Sequence, residues 1–394
     1  MHIGIGISTD RDHIRAVKDA VQAARIQLAS EKIDVAIVFS TVDFAHTIVF
    51  KTLSNLLKNV PLLGSSTLGI ISNQGISTYG IAVLLLSLPK ETYFNIACVK
   101  NISSKSAVSA GEELGEKLLY GCKGVRRSLT IVFSDGLLQN CPEVIYGIQE
   151  RLGTSFPLVG ASASDKLTFN KTYVYFGDEI LTDAACGILL GGKWRFGLGI
   201  QHGWKPLGKP RTVTRSSGNI VTQIDNSPAS RIYEDYFAKR MTEFKADLKR
   251  IAMLYPVGIK IPGEKEYLLR NVIDVNDGTL VFQGDVPQDS TIRLMIGTKE
   301  SCLEAAAKAT EDAKRNLAGQ TVKFALIFDS ATRAALFKRQ AARELETVKS
   351  KLGRNIPIIG MYTYAEQAPL SAINYLGKAY FHSHTITLLE VGEL

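Results

Sequence analysis

Three glycine strings carry the side chains best suited to recognising a small polar molecule. PLLGSSTLG from Pro61 holds Ser65, Ser66 and Thr67; PLVGASASD from Pro157 holds Ser162 and Asp165; PIIGMYTYAE from Pro357 holds Tyr362, Thr363 and Glu366. Hydroxyls of this kind donate and accept, Asp165 or Glu366 can hold an ammonium, and Tyr362 with Tyr364 can wall a pocket. Arg333, in FDSATR, has the planar fork that pairs with a carboxylate through two bonds. The chemistry is that of an amino acid or related carboxylate as ligand. The same residues also admit a purely structural reading, in which the hydroxyls satisfy turn backbones and Arg333 pairs with Glu366 or another acid.

The strings imply the elements that place them. In each copy a proline and two apolar residues precede the glycine, which reads as a short buried strand starting at proline and stopping at glycine. Strand and helix signals repeat around them. HIGIGIST is a strand, Ile14 to Leu28 carries a helical apolar stripe, VAIVFS is a strand buried on both faces, and a helix from Asp43 to Leu57 leads into PLLG and IAVLLLSL. The order returns from Thr92 to about Gly192, through LTIVFSDG, a helix from Pro142 to Leu152, PLVG and ACGILLGG. It returns again from Ser290, through an alanine-rich helix, FALIFDS, a helix to about Leu352, PIIG and TITLLEV. The shared strings VFST, VFSD and IFDS support duplication. The expected fold is therefore α/β: three repeated units, about 1–90, 91–192 and 290–391, with buried sheets flanked by helices. Between the second and third lies an antiparallel β connector, roughly Trp194 to Asp289, with hairpin turns at SSGN and at Asp277-Gly278, and with Ser227-Pro228 as the start of a helix running past Tyr236.

Composition narrows the function classes. The chain has 394 residues, 45% hydrophobic and 21% charged, enough for two or three cores. Its net charge of +8 is spread without a basic stripe, the densest pairs being Arg126-Arg127 and Lys249-Arg250, so nucleic acid is not an expected partner. Five cysteines without a CxxC spacing suit a reducing compartment. The start lacks a signal-peptide pattern, and IAVLLLSL falls short of the ~18 apolar residues that span a bilayer, so no membrane insertion and a cytoplasmic location are expected. Catalysis is not expected either. GSSTLG and GASASD lack the spacing of a nucleophile elbow, and GIGIST lacks the third glycine of a dinucleotide fingerprint.

A longer run then suggests a family. GWKPLGKPRTVTRSSGNIVTQIDNSPASRIYEDYF, Gly203 to Phe237, resembles the signature of FIST proteins (F-box and intracellular signal transduction): Gly-Trp-x-Pro-x-Gly, Val-Thr, Gly-Asn, then Asp-x-x-Pro-Ala. Trp204, Pro206, Gly208, Val213, Thr214, Gly218, Asn219, Asp225, Pro228 and Ala229 match. PLLGSSTLG is similar to the family's Gly-Gly-Ser-Thr-x-Gly-Glu, with Ile70 in place of the acid. FDSATR is similar to Phe-Ser-Cys-x-x-Arg, with Ser330 at the cysteine. GMYTYAEQAP is similar to Gly-Phe-Tyr-Thr-Tyr-Gly-Glu-Ile, with Ala365 for glycine, and a late His-Asn-x-Thr string appears at His382, Ser383, His384 and Thr385. The resemblance implies two sensory modules, 1–225 and 226–394, that bind a small ligand such as an amino acid and act through a separate signalling protein, for example a kinase, cyclase or chemoreceptor. No cofactor is expected on this reading. The alternative it implies is a haem-binding nitric oxide sensor, for which His202, His382 and His384 are the candidate ligands.

Overall fold

The computed structural model describes residues 1–122, 124–237, 251–370 and 377–392. Three six-stranded sheets share one strand order. The first runs His2–Ser8, Ile81–Ser87, Val35–Thr41, Leu62–Thr67, Val174–Phe176, Glu179–Leu181. The second runs Tyr93–Lys100, Ala184–Gly191, Arg127–Ser134, Leu158–Ser162, Ala365–Pro369, Ala379–His382. The third runs Phe196–Gln201, Ile386–Gly392, Val322–Ser330, Ile358–Thr363, Ile70–Ser72, Gly75–Ser77. In each, the third and fourth strands are parallel and the other pairings antiparallel. The glycine string is always the fourth strand.

The last two strands of every sheet come from another unit. The hairpin after the first glycine string pairs with the third unit, that after the second pairs with the first, and that after the third pairs with the second. The exchange is cyclic and joins all three units.

The inner faces of the sheets enclose a single core, and the outer face of each is covered by helices. Phe39, Phe133 and Phe328, the aromatic residues of VFST, VFSD and IFDS, meet in that core edge to face, with centroids 5.6 and 5.9 Å apart. Burying each phenyl ring contributes about 1.5–3 kcal/mol, so the shared strings bring the three sheets together.

The third unit does not begin where the sequence suggests. Thr291–Ile296 belongs to the connector sheet, and the first strand of the third unit is Phe196–Gln201. The reason is the pattern FGLGIQ, a counterpart of GIGIST. A Cβ on Gly4 or Gly6 would lie 1.9 or 1.8 Å from the carbonyl oxygens of Ala24 and Ala20 in helix His13–Leu28, and a Cβ on Gly197 or Gly199 equally close to those of Ala313 and Ala309 in helix Lys299–Asn316. Only glycine lets helix and strand approach so closely. The connector is thus an insertion between the first strand and first helix of the third unit. It forms an eight-stranded curled antiparallel sheet over its own core. Its Asp277-Gly278 turn has positive φ at both residues, as that hairpin requires. Ser227 and Pro228 pair with Ile224 and Gln223 instead of opening a helix, which starts at Arg231. The continuation of that helix past Phe237, and the Lys249-Arg250 pair, lie outside the described residues.

Candidate functional site

The carboxyl ends of the parallel strand pairs put Ser40 beside Ser66, Ser134 beside Ser162, and Asp329 beside Tyr362. From these ends the three glycine strings run into one another. Ser66 donates its hydroxyl to the Ser164 carbonyl at 3.1 Å, and Ser164 donates its own to the Tyr362 carbonyl at 2.6 Å. Thr67 also donates to the Tyr362 carbonyl, at 2.8 Å, and the Tyr364 amide reaches the Ser162 carbonyl at 3.2 Å. The strings converge, but they converge on each other.

Most of the expected ligand-binding groups are therefore already partnered. Ser65 points to the Met361 sulfur, 3.4 Å away. Asp165 serves its own loop, accepting from the amides of Thr168, Phe169, Asn170 and Lys171 and from the hydroxyls of Thr168 and Tyr364. Burial alone would raise its carboxyl, but those donors outweigh burial and hold it at about 2. Ser162 bonds Ser134 and Gln367, each at 2.8 Å. Thr363 donates to Glu366, whose other oxygen accepts from the Thr385 hydroxyl at 2.7 Å and amide at 3.1 Å. Burial pushes Glu366 up to about 8 against the lowering effect of these bonds.

Arg333, fully buried, uses every N–H it has. It donates to Glu344 from Nε at 3.0 Å and again from Nη2, and to the carbonyls of His202, His384 and Cys302. It has no donor left for a ligand carboxylate, and its acid partner is Glu344 rather than Glu366. Asp329 lies 3.2 Å from Arg333 Nε without a directed bond from it. Burial and the adjacent Glu344 push the Asp329 carboxyl well above the usual carboxylate range.

The outer pockets behind the three strand pairs differ in what the exchanged hairpin delivers. Tyr175 faces Gly64, Gln367 faces Gly160 and Ile71 faces Gly360. In the first pocket Tyr175 closes a chain from Ser40 (2.8 Å) to His46 (3.0 Å). In the second Gln367 closes on Ser162. In the third Ile71 offers no polar atom, and the Tyr362 hydroxyl, one oxygen of Asp329 and one of Glu344 are left without a partner. They line a cavity of about 10 Å³.

Family models place the chain. The FIST N domain matches residues 34–227 and the FIST C domain residues 229–369. The chain belongs to the FIST family. FIST domains are sensory domains, and the strings that resembled the family's in the sequence are those that meet here. Uncharacterised proteins of Mycobacterium tuberculosis and Mycobacterium bovis, each 22% identical, align over 95% of this chain and 97% and 96% of their own length. An uncharacterised protein of Methanocaldococcus jannaschii is 25% identical over 59% of this chain, and the match spans about half, 48%, of that protein.

Two solved cyanuric acid hydrolases align with this FIST chain along its length, one from A. caulinodans at 8% identity (100% of this chain, 99% of that one; TM-score 0.36). The other is 9% identical, with 99% of each chain covered and a TM-score of 0.33. They correct the expectation that catalysis is absent, since structures that align end to end are enzymes; at such scores they assign no reaction to this chain.

The histidines do not suit haem as placed. His382 and His384 turn Nε2 to the carbonyls of Ala368 and Met253, at 3.0 and 3.3 Å, and His202 turns Nε2 toward Glu266 at 3.5 Å. The strand that carries His382 ends there, so His384 lies beyond it. Burial pushes all three to about 3, so they are neutral. Among the described residues no group of three or more His, Cys, Asp or Glu is arranged to hold a metal, and no helix is long and apolar enough to cross a membrane.

Sequence reasoning missed Asp329, Glu344 and Ser164. Two signals were present. Asp329 occupies, in IFDS, the position of Ser40 and Ser134 in VFST and VFSD, and Glu344 interrupts the buried stripe of helix Ala341–Leu352 with Leu345, Val348 and Leu352.

Proposed function

We propose that this chain is a cytosolic sensory protein that recognises a small molecule of the amino-acid class at the carboxyl end of the third sheet's parallel strands, and that it signals through a separate protein partner. The observation that carries the reading is the buried cluster of ionisable groups Asp329, Arg333, Glu344 and Glu366, each 2% exposed or less. Buried charge costs several kcal/mol per ion before pairing offsets it, and a fold that needed only stability could use hydroxyls there, as the first two units do. The place agrees with it, since ligands of α/β sheets sit beyond the carboxyl ends of strands. Thr363 donates to Glu366 within this group, Ser66, Thr67 and Ser162 connect it to the other two units, and Arg333 fixes its acids in position. The test is a thermal-shift panel of amino acids and of carboxylates lacking the amine. A ligand at 100 times its dissociation constant adds about 2.7 kcal/mol of stability. A flat response to the whole panel would sink the reading.

A further inference from the structure

His46 Nε2 in the first pocket and Gln367 Oε1 in the second each lack a partner, but the third pocket gathers three such atoms on the residues around one cavity. Its cavity has room for one water-sized group, about 10 Å³. Three of the residues that line it hold an oxygen that receives no hydrogen bond: the Tyr362 hydroxyl, Glu344 Oε2, and Asp329 Oδ1, which lies 3.2 Å from Arg333 Nε without a directed bond. All three side chains are buried, with Tyr362, Asp329 and Glu344 each 2% exposed. A buried polar atom without a partner costs about as much as a lost hydrogen bond, and three around one void are rare in native structures.

Charge defines the missing partner further. Among the described residues Asp329 and Glu344 face a single cation, Arg333, whose N–H groups are all committed. The other titratable groups nearby bring no positive charge. His202 and His384 are neutral, and Glu366 is closed by Thr363 and Thr385. With both acids ionised the pair would carry one negative charge in excess, and burial beside Glu344 favours the protonated form of Asp329. The remaining walls, Ile71, Ile76 and Leu345 among them, are apolar and offer no hydrogen bond. Ile76 is only half-buried, which gives the cavity a side toward solvent.

We infer that this cavity receives a primary ammonium group. Its three N–H bonds match the three oxygens that receive no hydrogen bond, its size is that of a water molecule, and its charge replaces the proton that burial favours on Asp329. Binding is then an exchange: one ammonium enters and one proton leaves to buffer. An aliphatic stem, passing out between Ile71 and Ile76, would cover the apolar walls. The inference rests on the sensory reading above and deepens it by naming the end of the ligand that is recognised.

The test uses the full chain with methylammonium, inorganic ammonium, tetramethylammonium and sodium chlorides at equal ionic strength and pH 7.5. Methylammonium and ammonium are expected to raise the melting temperature and the other two to have no effect. A larger shift with methylammonium identifies an organic amine as the source, and a larger shift with ammonium the inorganic ion. Calorimetry in buffers of different ionisation enthalpy should register about one proton released per methylammonium bound. Tyr362→Phe, which removes an unpartnered hydroxyl and should fold, is expected to weaken methylammonium at least tenfold. Asp329→Asn should abolish both binding and proton release. Equal effects of tetramethylammonium, or unchanged affinity in Tyr362→Phe, would overturn the inference. So would binding of carboxylates that lack an amine while methylammonium fails, an outcome that leaves the sensory reading standing. Failure of amines and of the whole amino-acid panel overturns both.

Discussion

The first and third units share strand order, the glycine string and the exchanged hairpin, yet the pockets behind their parallel strands are opposites. In the first, Ser40, Tyr175 and His46 form a neutral hydrogen-bonded chain. In the third, Asp329, Arg333, Glu344 and Tyr362 put charge around a void. The order of strands in the sheet is common to both, so the difference lies in the side chains that the strands and helices bring and in the backbone carbonyls of His202 and Cys302 that flank the inserted connector. A repeated architecture can thus hold its shape with two copies and specialise the third.

The contrast can be broken at its strongest point first. Arg333→Met leaves Asp329 and Glu344 buried without a counter-charge and should cost about 3–5 kcal/mol in urea unfolding. A loss no larger than that of a hydroxyl deletion in the first unit would erase the distinction. Next comes pH. Glu366 has a folded value of about 8 against an ordinary 4.5, so the fold favours its protonated form. Its stabilising contribution is complete below about 4.5 and is lost as pH rises through about 8, a change on the order of a few kcal/mol. Glu366→Gln should flatten that decline, as melting temperatures from pH 5 to 9 would record. On the acid side the neutral histidines act in the other direction. With folded values of about 3 against 6.5, His202, His382 and His384 withdraw stability as pH falls below about 6.5.

Smaller effects sharpen the comparison within the neutral pockets. Ser162→Ala removes the acceptor of Gln367 and the partner of Ser134, and should cost about 1–2 kcal/mol. Tyr175→Phe interrupts the Ser40 and His46 chain without emptying the pocket. A cost of about 1 kcal/mol by denaturant midpoint is expected, and a much larger one would mean that the first unit also depends on its polar group.

What the sequence disclosed follows from the range of its signals. Apolar runs such as VAIVFS and IAVLLLSL, helical stripes such as Ala16 to Leu28, and the Asp277-Gly278 turn are local, and they appear where expected. The three glycine strings were legible for the same reason. Pairing partners were not. Thr67 meets Tyr362 across 295 residues and Ser164 meets it across 198, and no periodicity encodes such distances. Arg333 and Asp165 show the same limit, because a side chain's type states what it can bind but not what has already occupied it. The glycine pair of FGLGIQ was readable in principle, yet the long insertion after it hid its role as the opening of the third unit.

The cyclic hairpin exchange has a consequence for how the chain can be divided. Residues 227 to 229 mark the border between its two family domains, but a cut there strands the Ile70–Ser77 segment without a sheet and strips the Leu158–Ser162 strand of its neighbour. Exposed strand edges of that kind invite association. The smallest self-sufficient form is a ring: three copies of one unit, related by threefold rotation, would satisfy every exchanged pairing with no insertion at all. Such a homotrimer must keep all three pockets alike, whereas one continuous chain lets Ile71 stand where Tyr175 and Gln367 stand elsewhere.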